Sequence, residues 1–322
     1  MGHEGEAETD KKEKLIMFAF QNALPSLLGL GRATALRRSW LTILTILFIP
    51  AGTAFGQGLN WEGQSGALVT PFAYTSSSLS NNFGRPQISF HFLNTGSVVG
   101  NNIQASVTVG FLKRFEFGYT RSFKELGGTP ALSPLFDGGF NIVHGKVNFL
   151  PENFGKHDYL PALALGFVAR TQVRHVGGII RGRDTANGDI YLVATKTITQ
   201  VKGLPILLNL GIKATNASVF GIAGNAPVWQ GRLFGAAGFV VKGPARSRVV
   251  LGSEFAQQPR HIQDLPGATI PTTLTYFARI IPAPERVKLN VDFAVVSAVG
   301  TIAPSVNIKA RHQFGMGVTY QF

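Results

Sequence analysis

From Gln57 onward the chain alternates apolar and polar residues with a period of two, and helical periodicity is scarce. The clearest stretch is 286–297, where Val287, Leu289, Val291, Phe293 and Val295 enclose Lys288, Asn290 and Asp292. A period of two sends successive side chains to opposite faces of a β-strand. Eleven further stretches follow the same rule: 86–94, 101–111, 114–120, 138–149, 158–171, 189–200, 206–213, 231–242, 246–257, 272–281 and 314–322. In 189–200 the phase is less clear, and Lys196 is taken to mark its polar face. The pattern predicts about twelve strands, within bounds of roughly ten to fourteen, each long enough to cross a bilayer when tilted.

The connections between these strands carry as much information as the strands. Counting back from the carboxyl end, 298–311, 258–271, 216–230, 172–188 and 124–137 are long, while 282–285, 243–245, 201–204, 150–157 and 112–113 are shorter. An up-and-down transmembrane β-barrel has this rhythm, with short periplasmic turns, longer external loops and both ends in the periplasm. A soluble sandwich, propeller or lipocalin-like barrel would instead turn its apolar face inward. Here the polar face is rich in Gly, Lys, Arg, Asn and Thr, which suits a lumen. The predicted fold class is therefore an all-β, antiparallel transmembrane barrel over 86–322. Residues 57–85 alternate poorly and run into a Ser/Asn-rich tail, so they are expected to form a plug or a periplasmic strand.

Residues 1–56 read as a leader with a cleaved secretory signal peptide. Arg32, Arg37 and Arg38 precede the apolar block Trp40–Ile49, followed by Pro50 and the small-residue region Ala51–Gly56, with cleavage after Ala54 or Gly56. The apolar block is too short for a bilayer span, and the leader's length suggests Met17 as the true start. The absence of cysteine removes disulfides, thiolate metal sites and cysteine nucleophiles, and it fits export through an oxidising compartment. Lys and Arg total 30 against 17 Asp and Glu, a formal net charge of +13, so anionic partners are expected.

The final strand resembles the carboxy-terminal signature of bacterial outer-membrane proteins. Phe314, Met316, Val318, Tyr320 and the terminal Phe322 stand at alternate positions, and the resemblance implies a signal read by the barrel-insertion machinery. The segment Leu59-Asn60-Trp61-Glu62-Gly63-Gln64-Ser65-Gly66-Ala67-Leu68-Val69-Thr70-Pro71 is similar to the start of an uncharacterised family of bacterial outer-membrane proteins. That resemblance implies location in the cell outer membrane and brings no activity with it.

Candidate chemistry is sparse. His91, His144, His157, His175, His261 and His312 fall in different strands or loops, without a pair at metal-ligand spacing, so neither metal nor cofactor is expected. His144 shares a face with Lys146 and Asn148 and has no identifiable serine partner, which argues against an enzyme. Asp184 to Asp189 lacks the carboxylate spacing of a calcium loop. Gly29 and Gly31 follow no strand, so a phosphate loop is not expected, and aromatics lie opposite the basic residues, which excludes nucleic acid as a partner.

Charge supplies the remaining functional signal. Lys146, Arg170, Lys196, Lys213, Arg232, Lys242, Arg279 and Lys288 are placed on the polar face, against Glu116, Glu254 and Asp292. If that face lines water, it favours anions; if the acids neutralise it, little selectivity is left. Arg170, Arg174, Arg181 and Arg183 flank or occupy the longest predicted external loop, where they could meet phosphates of lipopolysaccharide or an acidic polysaccharide. Two functions follow: a passive channel for small, anionic solutes, or a non-conducting structural or envelope-assembly barrel closed by 57–85. The second would engage polysaccharide or a periplasmic partner. In both, outer-membrane lipid, lipopolysaccharide and the insertion machinery are the expected partners.

Overall fold

The computed structural model describes residues 58–76, 83–94, 100–125, 139–173, 185–201, 203–263, 265–284, 288–299 and 312–322. The predicted leader, and Arg174, Arg181 and Arg183, lie outside these residues. The strands are β1 (Gln87–Asn94), β2 (Asn101–Phe111), β3 (Phe115–Glu125), β4 (Asn141–Leu150), β5 (Ala162–Val173), β6 (Thr185–Ile198) and β7 (Ile206–Ala217). They continue with β8 (Asn225–Lys242), β9 (Arg248–Ala256), β10 (His261–Ile262), β11 (Leu265–Thr269), β12 (Thr272–Ile281), β13 (Leu289–Val299) and β14 (Gln313–Gln321). Twelve of them close an antiparallel barrel; β10 and β11 form a separate two-stranded sheet inside the connection from β9 to β12. The barrel shuts where β1 pairs with β14, Ile88 opposite Tyr320 and Phe92 opposite Met316.

Strand phase follows the predicted alternation, and it is inverted relative to a soluble protein. Phe90, Phe117, Phe167, Leu210, Ile212 and Phe293 point outward and are exposed, Phe90 and Leu210 at 59% each, while Gln87, Ser89, Gln104, Thr120, Thr215 and Asn290 point inward and are buried. Water would not leave such a surface bare, since exposed apolar bands of this extent mark a surface covered by something apolar. An outward apolar band with a polar interior is the sidedness of a transmembrane barrel. Phe314, Met316 and Tyr320 share the exposed outer face of β14, Val318 is half-buried on it, and Phe322 follows just beyond the strand.

Two details depart from the pattern-based expectation. β8 begins at Asn225, so the predicted long connection 216–230 is a tight turn over 218–224 instead. Its early residues extend the ladder to β7 across a register shift, with Gln230 opposite Thr215 and Asn225 opposite Ala217. In β6, Tyr191, Val193, Thr195 and Thr197 are the buried, inward residues, which puts Lys196 on the other face. The mixed composition of β6 misled the phase because part of its inner face is apolar, packed in the buried cluster that also holds Phe72, Phe220 and Phe234.

That cluster lies inside the barrel. Eight strands already enclose a space that side chains alone can fill, so a twelve-stranded barrel needs additional matter or stands open. Residues 58–76 supply it: Leu59, Trp61, Ala67, Leu68, Phe72 and Ala73 are all buried, together with Asn60, Glu62, Gln64, Ser65, Thr70 and Ser76.

Candidate functional site

The internal segment makes part of its structure by itself. Asn60 Oδ1 accepts the backbone N–H of Glu62 at 3.0 Å and of Gln64 at 2.9 Å, the turn chemistry expected of Asn. Gly63 takes φ 86°, open to glycine at no steric cost, and packs so closely on Thr120 and Ser106 that a larger residue has no room. Short bridges join Leu59 to Ser65 and Gly66 to Pro71. A segment this short has too few internal partners for all its buried backbone groups, and each unpaired one would be costly.

The barrel wall provides the missing partners. Thr108 Oγ1 donates to the Gly63 carbonyl at 2.5 Å, Thr120 Oγ1 to that of Glu62 at 2.9 Å, and Asn148 Nδ2 to that of Ala73 at 2.8 Å. Asn209 Nδ2 reaches the Pro71 carbonyl at 3.1 Å, and Thr195 Oγ1 accepts the Ala73 N–H at 2.7 Å. The Leu59 N–H turns to Thr319 Oγ1, Gln64 Nε2 donates to the Tyr191 hydroxyl at 2.7 Å, and Ser76 Oγ donates to Gln87 Oε1. With its amide oriented to satisfy both groups, Gln104 donates to the Trp61 carbonyl and accepts from the indole N–H. Strands from around the whole circumference thus hold one short piece of chain.

Charged residues complete the seat, each paired in a defined way. Arg170 Nε donates to Glu62 Oε1 at 2.6 Å, while its Nη2 lies 2.5 Å from the same oxygen and 2.8 Å from Asp189 Oδ2. Arg279 forms a two-point pair with Asp292 at 2.6 and 3.1 Å and donates to the carbonyls of Gly66 and Ala67. Lys146 Nζ lies 3.1 Å from Glu116 and donates to the carbonyls of Ser65 and Phe72. Glu116 in turn accepts from Ser65 N–H and Oγ and from the Ser76 N–H. Glu254 accepts three consecutive N–H groups, those of Leu68, Val69 and Thr70, plus the Thr70 hydroxyl at 2.8 Å, and no cation lies within ion-pair distance among the described residues. Burial pushes the Glu62 carboxyl above its ordinary range, against the pull of Arg170, and pushes the Tyr74 phenol up, helped by Glu152 at 2.7 Å.

The eight basic positions taken from the sequence separate into groups. Lys146, Arg170, Lys213 and Arg279 are buried in the lumen, and Lys213 lies 3.7 Å from Asp189. Arg232 is half-buried and bonds to the Gln258 carbonyl at 2.8 Å; Lys242 and Lys288 are exposed at the strand ends. Lys196 does not face the lumen: it pairs with Glu152 at 3.4 Å beside the connection 151–161. Arg170, which flanks the predicted loop from within β5, faces the lumen with two carboxylates. Around the segment Glu62, Glu116, Asp189, Glu254 and Asp292 offset those four buried cations, so the described residues leave no positive surplus there.

Other candidates sit apart from this seat or beneath it. His91 and His144 are buried on the inner wall, His91 with its ring 6.1 Å from that of Trp61 and His144 3.2 Å from Thr108 Oγ1, while His157, His261 and His312 are exposed. The turn between β7 and β8 folds inward over Lys213 and Arg170: Phe220 is buried with its ring 5.1 Å from Lys213 Nζ, and Val219 and Phe220 hold left-handed φ of 48° and 54°. That conformation is strained for a β-branched residue and persists only where the surroundings enforce it. A cavity of about 20 Å³ remains between Glu62, Gln64, Tyr191, Asp189 and Lys213, room for about one water.

Glu116, Glu254 and Asp292 were among the polar-face positions read from the sequence, whereas Glu62 and Asp189, and the contacts that seat the segment, were not. Glu62 and Asp189 stood in stretches without clear alternation, and their signal was only that buried cations need partners. The fit is tight at Gly110, where an added Cβ would fall on the Ser76 carbonyl. Gly110→Ala is therefore expected to loosen residues 73–76 while leaving the barrel closed. Limited proteolysis should show faster cleavage there with unchanged heat-modifiable gel migration, and an unchanged digest would refute the tight fit.

The geometry defines a class: a closed, twelve-stranded antiparallel β-barrel with an apolar outer band and an internal amino-terminal segment. The chain belongs to the family described as Protein of unknown function (DUF3034), whose model matches residues 57–310. Among solved structures it is similar to one titled "KdgM porin", at 9% identity and a TM-score of 0.42, covering 73% of this chain and 99% of that one. The same values hold for "KdgM porin in complex with disordered oligogalacturonate". The β domain of the Bordetella autotransporter BrkA is similar at 12% identity and a TM-score of 0.33, covering 75% of this chain and all of that one, 100%. No curated protein matches the chain.

Proposed function

We propose that the protein is a porin-like barrel of the outer membrane, without enzymatic activity, whose lumen is closed at rest by residues 58–76 acting as a plug. The observation that carries this reading is the hydrogen-bonded seat: the wall residues that would line an open pore are occupied by the segment's own backbone. In the outer membrane the end holding the start of β1 and the end of β14 faces the periplasm, and Tyr74 and Glu152 lie towards it. Phe314, Met316, Val318, Tyr320 and Phe322 then serve the insertion machinery, and lipid covers the outer band. A standing anion-selective pore is the weaker reading because the cations meant to select for anions are paired with carboxylates.

Planar-bilayer recording tests the closed state. The mature chain is expected to stay electrically silent at moderate voltage, and deletion of residues 58–76 is expected to produce steady conductance. A large standing conductance in the intact protein, or a deletion variant that folds yet conducts nothing, would overturn the reading.

A further inference from the structure

Among the described residues, a polar cluster stands on the outer wall at the rim of its apolar band, at the end opposite the carboxyl terminus. Arg121 and Asn141 are directly opposed across β3 and β4, and Thr171 opposes Asn141 across β4 and β5. Arg121 Nη1 donates to Asn141 Oδ1 at 2.9 Å and lies 3.4 Å from Gln172 Oε1, Asn141 Nδ2 donates to Gln172 Oε1 at 3.0 Å, and Tyr119 OH donates to Asn141 Oδ1 at 2.8 Å. The guanidinium also stands 5.7 Å from the Phe123 ring centroid.

Gln172 reaches this face only through a backbone irregularity. Simple alternation after Arg170 would turn Gln172 inward, but the register shifts between Arg170 and Val173, and Gln172 adopts φ 61°. The bulge returns Val173 to the interior and delivers Gln172 to the outer wall, where it is exposed. Bulges re-aim side chains in this manner, often beside functional sites, and a left-handed non-glycine residue persists only where its surroundings hold it.

We infer that Tyr119, Arg121, Asn141, Thr171 and Gln172 form a binding site for a phosphate group on a lipid headgroup of the outer leaflet. Asn141 and Gln172 fix one arm of the Arg121 fork, leaving its Nε and Nη2 without a hydrogen bond among the described residues. A guanidinium so held offers two parallel N–H groups, matched to two phosphate oxygens, and the exposed Thr171 is a neighbouring hydroxyl. The position selects the source: an anion bound on the outer wall, at the rim of the apolar band, lies at headgroup level, with Phe117 and Phe167 toward the acyl chains. This inference rests on the outer-membrane reading and is independent of the closed lumen.

Native mass spectrometry of the detergent-extracted full chain, offered lipid A with its phosphates or lipid A stripped of them, tests the site. The parent should retain the phosphorylated form in roughly tenfold preference, and Arg121→Gln should abolish that preference. Gln172→Ala, which keeps the charge but releases the fork, should reduce it severalfold, and it carries the test if Arg121→Gln fails to fold. Equal retention by parent and variants, or displacement of the lipid by millimolar inorganic phosphate, would overturn the site. Absence of the protein from outer-membrane fractions would refute the location itself, whereas presence there without phosphate preference refutes only this site.

Discussion

Arg170→Met is expected to unseat the internal segment and turn a silent barrel into one that opens. The substitution leaves Glu62 and Asp189 buried without the cation that bridges them, since the remaining contact is Lys213 to Asp189 at 3.7 Å. Removing one partner of a buried pair costs about 3–5 kcal/mol, because the other charge stays desolvated. The strain can be relieved in two places. Asp189 is locked in β6, paired with β5 and β7, whereas Glu62 belongs to a segment held by side chains and a few short bridges. Release of Glu62 is therefore the cheaper route, and 3–5 kcal/mol shifts the seated fraction by roughly a hundredfold to a few thousandfold. Bilayer recordings should show frequent openings and hydrogen exchange should show loss of protection across 58–76, with heat-modifiable migration intact.

The same variant should respond to pH in a set direction. Burial already raises the Glu62 carboxyl with Arg170 present, and loss of the guanidinium raises it further. A carboxyl whose value is higher in the seated state favours seating once protonated, so openings should decline as pH falls from neutral through that raised range. Glu62→Gln added to Arg170→Met should restore silence at neutral pH and remove the dependence. A variant that stays silent with the segment still protected would show that Arg170 is not what holds the seat.

Much of this architecture was written in a period of two. All twelve barrel strands coincide with predicted stretches, and on every strand except β6 the apolar face found outward is the one the pattern assigned. The reason is physical: lipid on one side and polar matter on the other demand alternation at nearly every position. Residues 58–76 follow no period because their partners are distant in sequence, as when Leu68 N–H meets Glu254, 186 positions away. The basic side chains were legible one by one, but their charges were not, because pairing depends on which strands face each other. Lys146 meets Glu116 across neighbouring strands, while Arg170 meets Glu62 across 108 positions. β6 misled because part of its inner face packs against apolar residues of the segment, so its contrast between faces is weak.

Glu254 is where the seat should prove most sensitive to the loss of a single acceptor. Its two oxygens gather the N–H groups of Leu68, Val69 and Thr70 at 3.1, 2.9 and 2.9 Å, so a turn of the segment points its donors at one carboxylate. Consecutive N–H groups aimed together form an anion-binding concavity, and here the anion belongs to the wall. Without a cation nearby, the carboxylate and the turn depend on each other. Glu254→Leu would leave four buried donors unpaired, the three N–H groups and the Thr70 hydroxyl, each costing about 1–3 kcal/mol, and their simplest remedy is to leave the lumen for water. Glu254→Gln keeps one acceptor oxygen but sets an amide N–H₂ against a donor, so its effect should be smaller and of the same sign. Thr70→Val loses one hydroxyl bond and should be mildest. Exchange protection of 68–70 should fall in the order Thr70→Val, Glu254→Gln, Glu254→Leu, and open probability should rise in step. If Glu254→Leu closed as firmly as the parent, the apolar contacts of Leu68 and Phe72 would be sufficient to hold the segment, and the polar seat would be a consequence of closure and not its cause.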